Sequence, residues 1–481
     1  MIAGPWILVL LPLAAAALVY MVRRWAFLGA LLAGGTTGAL AWLCFTAPLA
    51  QPVTLLEQSI LMGEPVAVLG RELVLTPVSQ IALGFLFAIA AVSFLLAWPL
   101  SPGRSFFPLG LVLLSGWAAA ILMQHLAFAV IILWLVSTLA TMVIQGGRLA
   151  SIRGAGRQMI ILTLVIPLLL LVSTLIDARA VNPDDFTLTQ PVILLTAIGL
   201  AGLFAAFPFE GWVAAMTTDA QPGVVALLIS GYQVVVLLLA LNLFHDQPWL
   251  VADGQILSLL AWGGLLTAAI GGLLAAVQRH FTSLLGYTIL NDLGLVALAM
   301  ANANDRGLTI AFTMIAVRPI GLLLAGSGLA LIRQRAEKTS FLHLAGLGHS
   351  LPLAAISLLA GGFSLSGIPL TAGFAARWAL LNQVASSHSP WIWVLLVSSL
   401  GTVAGWLNGA RTLFTPAVTE PNNAPPTRRM PLVATILVII LLAACLWLGH
   451  RPDWLLLWLQ PLVDTYAPLV TISSLASPII S

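Results

Sequence analysis

Residues 207–228 read FPFEGWVAAMTTDAQPGVVALL, a charged and proline-bounded interruption between two long apolar runs. Pro208 and Pro222 flank the interruption, and Glu210 and Asp219 lie inside it. Proline removes a helical hydrogen bond and ends or kinks a helix. In a chain surrounded by lipid, non-helical backbone is tolerated only where protein or a water-filled cavity covers it. This stretch therefore predicts a broken helix buried inside a membrane protein.

The composition of the whole chain supports the same fold class. Of its 481 residues, 60% are hydrophobic and 7% are charged, whereas a soluble domain has about 25% charged residues. Lipid must therefore cover most of the surface, and we predict an all-α, polytopic protein that forms one membrane domain over 1–481. No basic run of the kind that binds nucleic acid is present, so nucleic acid is not an expected partner.

Apolar runs long enough to cross a bilayer core of about 30 Å recur along the chain. They predict about fourteen transmembrane helices, at 5–22, 26–47, 77–99, 107–124, 127–145, 158–176, 190–207, 222–244, 256–278, 282–302, 307–333, 350–385, 390–413 and 430–449. Residues 454–480 are also apolar but contain Pro461, Asp464 and Pro468, so we expect them to lie on the surface. Alternation around Gly70 in 66–75 predicts a short β-hairpin.

A second break is predicted inside the run 350–385, where Gly367, Pro369 and Gly373 interrupt the apolar sequence. One such break would indicate only a packing kink. Two breaks in the two halves of a membrane chain, each next to a charge, are typical of transporters built from inverted repeats.

The basic residues predict the orientation of the chain. Those at or after the ends of odd-numbered predicted spans are Arg23, Arg24, Arg104, Arg148, Arg153, Arg157, Arg279, Arg333, Arg335, Lys338, Arg411, Arg428 and Arg429. Those after even-numbered spans are Arg71, Arg179, Arg306 and Arg451. Because cytoplasmic loops carry the excess of Lys and Arg, we expect a multi-pass protein of the cytoplasmic (inner) membrane with both termini on the extracytoplasmic side.

Three charged residues lie well inside predicted spans, away from their ends: Asp292, Arg318 and Arg377. Glu210 and Asp219 at the first break are two further candidate intramembrane charges. An arginine at the bilayer centre costs about 2.5–3.5 kcal/mol on the insertion scale, so such residues face the protein interior and have partners. They either line an ion path or form structural ion pairs. Because arginine holds its proton tightly, it can bias a neighbouring carboxyl group without carrying a proton itself. We predict that Asp292 and Arg318, near the middle of adjacent spans, form a pair.

Cysteine usage argues against a cofactor on this chain. Cys44 and Cys445 both lie in apolar runs, far from any CxxC pattern. The seven histidines lie near the ends of predicted helices and form no ligand cluster in the sequence. We therefore expect neither a metal nor a cofactor, and we assign no catalytic residue.

Four segments carry a family resemblance. The first segment, PFEGW at 208–212 followed by DAQPGVVALL at 219–228, resembles PFHGW…EAPTPVSALL. The second, LGYTILNDLGL at 285–295, resembles LAYSSISHMGL, and the third, RPIGLLLAG at 318–326, resembles KALLFLLAG. The fourth, SLSGIPLTAGFAARW at 364–378, resembles SLAGIPPLAGFWSKW. These are hallmarks of the antiporter-like membrane subunits of complex I (NADH:quinone oxidoreductase), of membrane-bound hydrogenases and of multi-subunit cation/proton antiporters. The resemblance covers roughly residues 75–415.

The resemblance implies a fold of fourteen helices with two inverted five-helix repeats. We place the repeats at 107–250 and 251–415, between N-terminal helices and a hairpin at 1–106 and C-terminal helices at 416–481. It also implies partners, namely the other membrane subunits of a multi-subunit complex, in addition to lipids. The family role is proton translocation driven by redox chemistry elsewhere in the complex.

This chain departs from the family at the titratable positions. Leu135, Leu203 and Val235 stand where the first repeat of the family carries a glutamate and two lysines. We therefore expect these three residues to surround a mostly apolar interior. In the second repeat, Asp292 replaces a histidine, while Arg318 and Arg377 replace a lysine and a lysine or glutamate. Three hypotheses follow: a proton-translocating subunit with a degenerate first-repeat path, a non-conducting structural paralogue, or a subunit of a cation/proton antiporter or bicarbonate-linked complex.

Overall fold

The computed structural model describes residues 2–55, 58–68, 70–100, 103, 105–145, 153–181, 186–302, 304–336, 339–387, 390–416 and 432–473. The helices of the N-terminal half are α1 Gly4–Met21, α2 Ala26–Thr46, α3 Pro77–Leu100, α4 Phe106–Leu122, α5 Leu126–Gln145, α6 Arg153–Val181, α7 Thr189–Leu203, α8 Gly211–Asp219, α9 Pro222–Asp246 and α10 Trp249–Ala252. Those of the C-terminal half are α11 Gln255–Val277, α12 Phe281–Ala301, α13 Asp305–Arg333, α14 Leu347–Ser350, α15 Pro352–Ser366, α16 Phe374–Ser386, α17 Trp391–Phe414, α18 Leu432–His450 and α19 Asp453–Ser473.

Within the described residues, eleven of these helices are long and apolar enough to cross a membrane. Three shorter helices, α4, α7 and α15, are also apolar. The all-α membrane architecture predicted from the sequence is therefore confirmed. The exact number of fourteen crossings stays a prediction.

Both predicted helix breaks are present. In the first, α7 ends at Leu203 and α8 begins at Gly211, so the chain leaves helical geometry just before and through the PFEG sequence. In the second, α15 ends at Ser366 and α16 begins at Phe374. Gly367 follows α15 with φ of 70°, in the left-handed region that glycine adopts without a steric penalty.

Three helices form the centre of the bundle. In the most apolar stretches of α9, α12 and α13, 100%, 94% and 83% of residues are buried, compared with 28% in the peripheral α18. A helix that is hydrophobic all round belongs in the interior of a large protein or among other helices. Any polar residue on these three helices therefore has to find its partner inside the protein.

Small residues allow the helices next to the second break to approach closely. A Cβ at Gly294 of α12 would lie 2.5 Å from the Gly264 carbonyl oxygen of α11, and a Cβ at Gly271 would overlap the backbone of Asn291. Such glycine contacts let membrane helices pack with their backbones nearly touching. They fix the rotation of α12, and with it the direction of the side chains of Asn291 and Asp292.

The extramembrane parts contain little regular structure. The predicted hairpin is confirmed: β4 (Val66–Val68) pairs antiparallel with β5 (Arg71–Leu73) around Gly70. A second small sheet joins β1 (Ile2–Ala3), β3 (Gln58–Leu61) and β2 (Val53–Leu55). The helix α19 runs through Pro461 and packs its buried Leu462, Val463 and Tyr466 against the bundle.

Candidate functional site

Asp292 and Arg318 meet in the interior of the bundle, as the sequence predicts. The Arg318 Nε donates to Asp292 Oδ2 across 2.5 Å. The side chains are 1% and 9% exposed for Arg318 and Asp292, respectively. A carboxylate and a guanidinium at this separation form a charge-assisted hydrogen bond, so each offsets much of the cost of burying the other.

Arg377 forms the other side of the same cluster. Its Nη2 lies 3.8 Å from Asp292 Oδ1, at the outer limit of an ion pair. Its direct hydrogen bonds go to neutral acceptors: Nη1 donates to Asn291 Oδ1 at 2.9 Å and Nη2 donates to the Leu365 carbonyl oxygen at 2.8 Å. Asp292 therefore lies between two guanidiniums and is bonded tightly to only one of them.

The second helix break places Arg377 in this position. The Leu365 carbonyl is one of the last of α15 and has no partner within that helix, so it is free to accept from the guanidinium. The C-terminal end of a helix carries a partial negative charge that favours a cation. Gly367 lies directly against the arginine, since a Cβ at this residue would be 2.5 Å from Arg377 Cδ. The Gly-Ile-Pro sequence thus ends α15, which leaves space for the Arg377 side chain beside Gly367 and leaves the Leu365 carbonyl free to accept its hydrogen bond.

Two neutral residues complete the cluster. Gln233 of α9 accepts from Arg318 Nη1. Asn291 of α12 holds Arg377 with its oxygen and donates with its nitrogen to the Ala268 carbonyl at 2.7 Å. Neither residue was among the sequence predictions. Each is an amide side chain within a long apolar run, and this is the feature of the sequence that could have pointed to them. The feature is weak evidence for a functional site, because buried amides also serve only to pack helices together.

The electrostatics of the cluster are unbalanced. Two arginines face one aspartate, and the hydrogen-bond partners Gln233, Asn291 and Leu365 are neutral. Among the described residues, Arg318 Nη2 is buried without a hydrogen-bond partner. In a low-dielectric interior an excess positive charge repels mobile cations. The cluster therefore holds one more positive than negative charge, and both arginines lie within 4 Å of the same carboxylate.

The acids of the first break do not reach this cluster. Asp219 Oδ2 accepts from the Gly154 backbone nitrogen at 2.6 Å, at the start of α6. A carboxylate at a helix N-terminus satisfies an otherwise unpaired N–H and is favoured by the helix dipole. Glu210 is half-buried, and its Oε2 has no hydrogen-bond partner among the described residues. Pro208, Pro222, Pro369 and Gly373 all lie in or beside the breaks.

The three positions that have lost titratable groups are not brought together. Leu203 and Val235 are 0% and 1% exposed, whereas Leu135 is 54% exposed and points out of the bundle. The expectation that all three surround one apolar interior is therefore wrong for Leu135, because the helical phase of α5 turns this residue outward. At the end of α7, Tyr232 Oη donates to the Leu203 carbonyl at 3.0 Å. This contact is the neutral counterpart of the bond between Arg377 and Leu365.

Comparisons with known proteins agree with the fold. The family model described as NADH:quinone oxidoreductase/Mrp antiporter, TM, matches residues 159–402. The NADH-quinone oxidoreductase subunit N of Rhodococcus opacus is 28% identical over 271 residues, which are 55% of this chain and 48% of that protein. Subunit N 1 of Solibacter usitatus is 26% identical over 279 residues, 57% of this chain and 56% of that protein. The chain thus spans about half the length of the curated relatives it matches.

Solved structures share the architecture over nearly the whole chain. A chain of the Mrp complex from Dietzia superposes with a TM-score of 0.77 at 18% identity and covers 99% of both chains. A chain of respiratory complex I from Thermus thermophilus superposes with a TM-score of 0.73 at 20% identity, covering 97% of this chain and 99% of that one. A chain of an archaeal membrane-bound sulfane sulfur reductase gives 0.79 at 19% identity, covering 94% and 77%. With the family model matched over half of its length, this chain belongs to the NADH:quinone oxidoreductase/Mrp antiporter transmembrane family.

Proposed function

We propose that this chain is a proton-translocating, antiporter-like membrane subunit of a multi-subunit complex of the complex I type. The observation that carries the proposal is the buried cluster of Arg318, Asp292 and Arg377 beside the second helix break. Ionisable residues inside a membrane bundle are costly and are typically retained where charge moves. The chain itself performs no redox chemistry under this proposal, and the driving reaction takes place on other subunits.

The mechanism follows from the unequal contacts of Asp292. In the observed state its carboxylate is bonded to Arg318 at 2.5 Å and only approached by Arg377 at 3.8 Å. Because arginine does not release its proton near neutral pH, the two arginines act through their charge and position. When Arg318 moves towards a neighbouring subunit, the carboxylate exchanges its bond to Arg318 for one to Arg377, and the cluster acts as an electrostatic switch for proton movement elsewhere in the complex. When Arg318 returns, the original pair forms again.

A second candidate is a non-conducting structural paralogue. The observation that favours it is the first repeat, where Leu203 and Val235 are buried and cannot titrate. A continuous relay through that repeat would depend on water alone. Under this proposal the cluster of Arg318, Asp292 and Arg377 locks three helices together and transmits conformational change. A third candidate, a subunit of a cation/proton antiporter or bicarbonate-linked complex, differs in the transported ion and in the neighbouring subunits.

The proposed setting is the cytoplasmic (inner) membrane, with both termini on the extracytoplasmic side. The support is the excess of arginine at one side of the predicted spans. Chains of similar fold occur within multi-subunit membrane complexes, which supports neighbouring membrane subunits as partners of this one.

The test is transport by the complex that copurifies with the tagged full-length chain. The complex is reconstituted into liposomes that contain a pH-sensitive dye, and a pH or sodium gradient is imposed. We expect Asp292→Asn to lower the stability of the complex but still to yield assembled complex, and to abolish proton movement per assembled complex. Asp305→Asn, which changes an exposed acid at the start of α13, serves as the matched control and retains it.

The alternatives give different results in the same experiment. Loss of assembly by Asp292→Asn, with unchanged flux in the fraction that still assembles, supports the structural paralogue. If the reconstituted complex moves protons in response to the imposed sodium gradient, the result supports the antiporter-type complex. The copurified subunits identify the type of complex independently of the flux.

A further inference from the structure

A small cavity lined by buried residues lies in the predicted first repeat, at the junction of α4, α5, α6, α8 and α9. Its volume is ≈ 10 Å³. A cavity needs a volume of roughly 10–15 Å³ to hold one water molecule. This cavity therefore fits one water and no larger ligand.

Three residues that line this cavity each carry a buried polar atom that has no hydrogen-bond partner among the described residues. They are Trp117 Nε1, Ser137 Oγ and Gln158 Oε1. Trp117, Ser137 and Gln158 are 2%, 3% and 4% exposed. An unpaired buried polar group costs about 1–3 kcal/mol, and native proteins rarely leave three together unsatisfied.

The chemistry of the three groups matches one water molecule. The indole N–H of Trp117 is a donor only, the amide oxygen of Gln158 is an acceptor only, and the hydroxyl of Ser137 can act as either. A water accepts from the indole, donates to the amide oxygen and exchanges its third bond with the hydroxyl. Buried waters typically make about three hydrogen bonds. We propose that this cavity is a binding site for a single internal water held by Trp117, Ser137 and Gln158.

The surroundings isolate this water. The rest of the cavity wall consists of apolar or aromatic side chains, among them Met216, Leu228 and Ile229. Tyr232 also lines the cavity, but its hydroxyl hydrogen is already donated to the Leu203 carbonyl. The bound water therefore satisfies these three polar groups without forming part of a chain of waters. It acts as a neutral structural element that joins α4, α5 and α6.

The direct test is a cryo-electron microscopy map of the full-length chain, in lipid nanodiscs or in its copurified complex, at about 2 Å resolution. We expect one density peak at hydrogen-bonding distance, about 2.7–3.2 Å, from Trp117 Nε1, Ser137 Oγ and Gln158 Oε1. An empty cavity, or direct hydrogen bonds among the three side chains, would overturn the proposal. A row of peaks that continues past Leu228 would equally overturn it, because the water would then belong to a path.

A double-mutant cycle gives a second and independent readout. Ser137→Ala and Gln158→Met each remove one partner of the water, so their shifts of the thermal unfolding midpoint should not add in the double variant. The control pair is Ser173→Ala with Gln158→Met, since Ser173 is a buried serine of the same helix, about 22 Å away along α6. We expect additive shifts in the control pair. Additivity in both pairs would contradict a shared water.

Discussion

Arg318 Nε lies 2.5 Å from Asp292 Oδ2, and this pair connects two of the most buried helices of the bundle. The third charge of the cluster, Arg377, is held by a neutral amide and a backbone carbonyl and lies 3.8 Å from the same carboxylate. Asp292 therefore has one cationic partner in hydrogen-bond contact and a second cation farther away. The proposed function uses this inequality: an electrostatic switch requires two states, and here they would differ in which arginine the carboxylate binds.

Removal of the carboxylate charge should destabilise the protein. In Asp292→Asn, Arg318 keeps its charge in the interior but loses its anionic partner. Breaking a buried pair in this way costs about 3–5 kcal/mol. The measurement is the thermal unfolding midpoint of the purified chain in nanodiscs. Asp305→Asn, at an exposed position, should change the midpoint little, and equal shifts for the two variants would show that the pair contributes no net stability.

Replacement of Arg377 by lysine should not be conservative. The guanidinium donates through two different nitrogens to Asn291 and to Leu365, whereas an ammonium presents a single point of contact at the end of a flexible stem. We expect Arg377→Lys to lose at least one bond to a charged donor, a cost of about 1.5–3 kcal/mol. Thermal unfolding checks this value. Arg411→Lys, at the exposed end of α17, is the control and should be near neutral.

Gly367 should tolerate no side chain. Its φ is 70°, a conformation that costs an L-residue roughly 1–2 kcal/mol, and its Cβ would lie 2.5 Å from Arg377 Cδ. Gly367→Ala should therefore lower stability by more than the backbone cost alone and displace Arg377. Gly35→Ala is the matched control, because nothing lies within 4 Å of a Cβ at that helical position. If Gly367→Ala were as stable as the unmodified protein, the backbone at the second break would have to adjust to the added methyl group without cost, which would contradict this prediction.

Asp219 should act as a structural cap rather than as an ion carrier. It accepts a hydrogen bond at 2.6 Å from Gly154 at the start of α6, and loss of such a cap costs about 0.5–2 kcal/mol. We expect Asp219→Ala to lower the thermal midpoint while leaving ion flux per assembled complex unchanged. Asp253→Ala, an exposed acid outside the breaks, controls for the charge change. Loss of flux with unchanged stability would place Asp219 on the transport path.

The two breaks resemble each other in geometry but not in charge. Each ends a half-helix whose carbonyl accepts a bond from a side chain: Leu203 from the Tyr232 hydroxyl, and Leu365 from the Arg377 guanidinium. The first break therefore relies on a neutral donor and the second on a cation. We accordingly expect the charge movement of the proposed function to occur beside the second break.

Much of the architecture follows from local sequence. Apolar runs in lipid have to form helices, since no water is present to satisfy free backbone groups. The helices α7 and α15 end shortly before Pro208 and Pro369, whereas α19 continues through Pro461. The pairing of Asp292 with Arg318 was also predictable, because a lone charge on either central helix is too costly to remain unpaired. These inferences need only composition, spacing and the cost of burial.

Other features depend on the tertiary structure alone. Whether Leu135 faces the interior or the outside is decided by the rotation of α5 against its neighbours, and apolar side chains on all sides of a membrane helix leave that rotation open. Gln233, Asn291 and the Leu365 carbonyl became partners of the arginines only because close glycine contacts and the second break bring four separate segments together. The sequence by itself determined which groups must be satisfied in the membrane, since burial costs act on every residue separately. Only the packed structure decided which group satisfies which, because hydrogen bonds depend on distances between segments far apart in the chain.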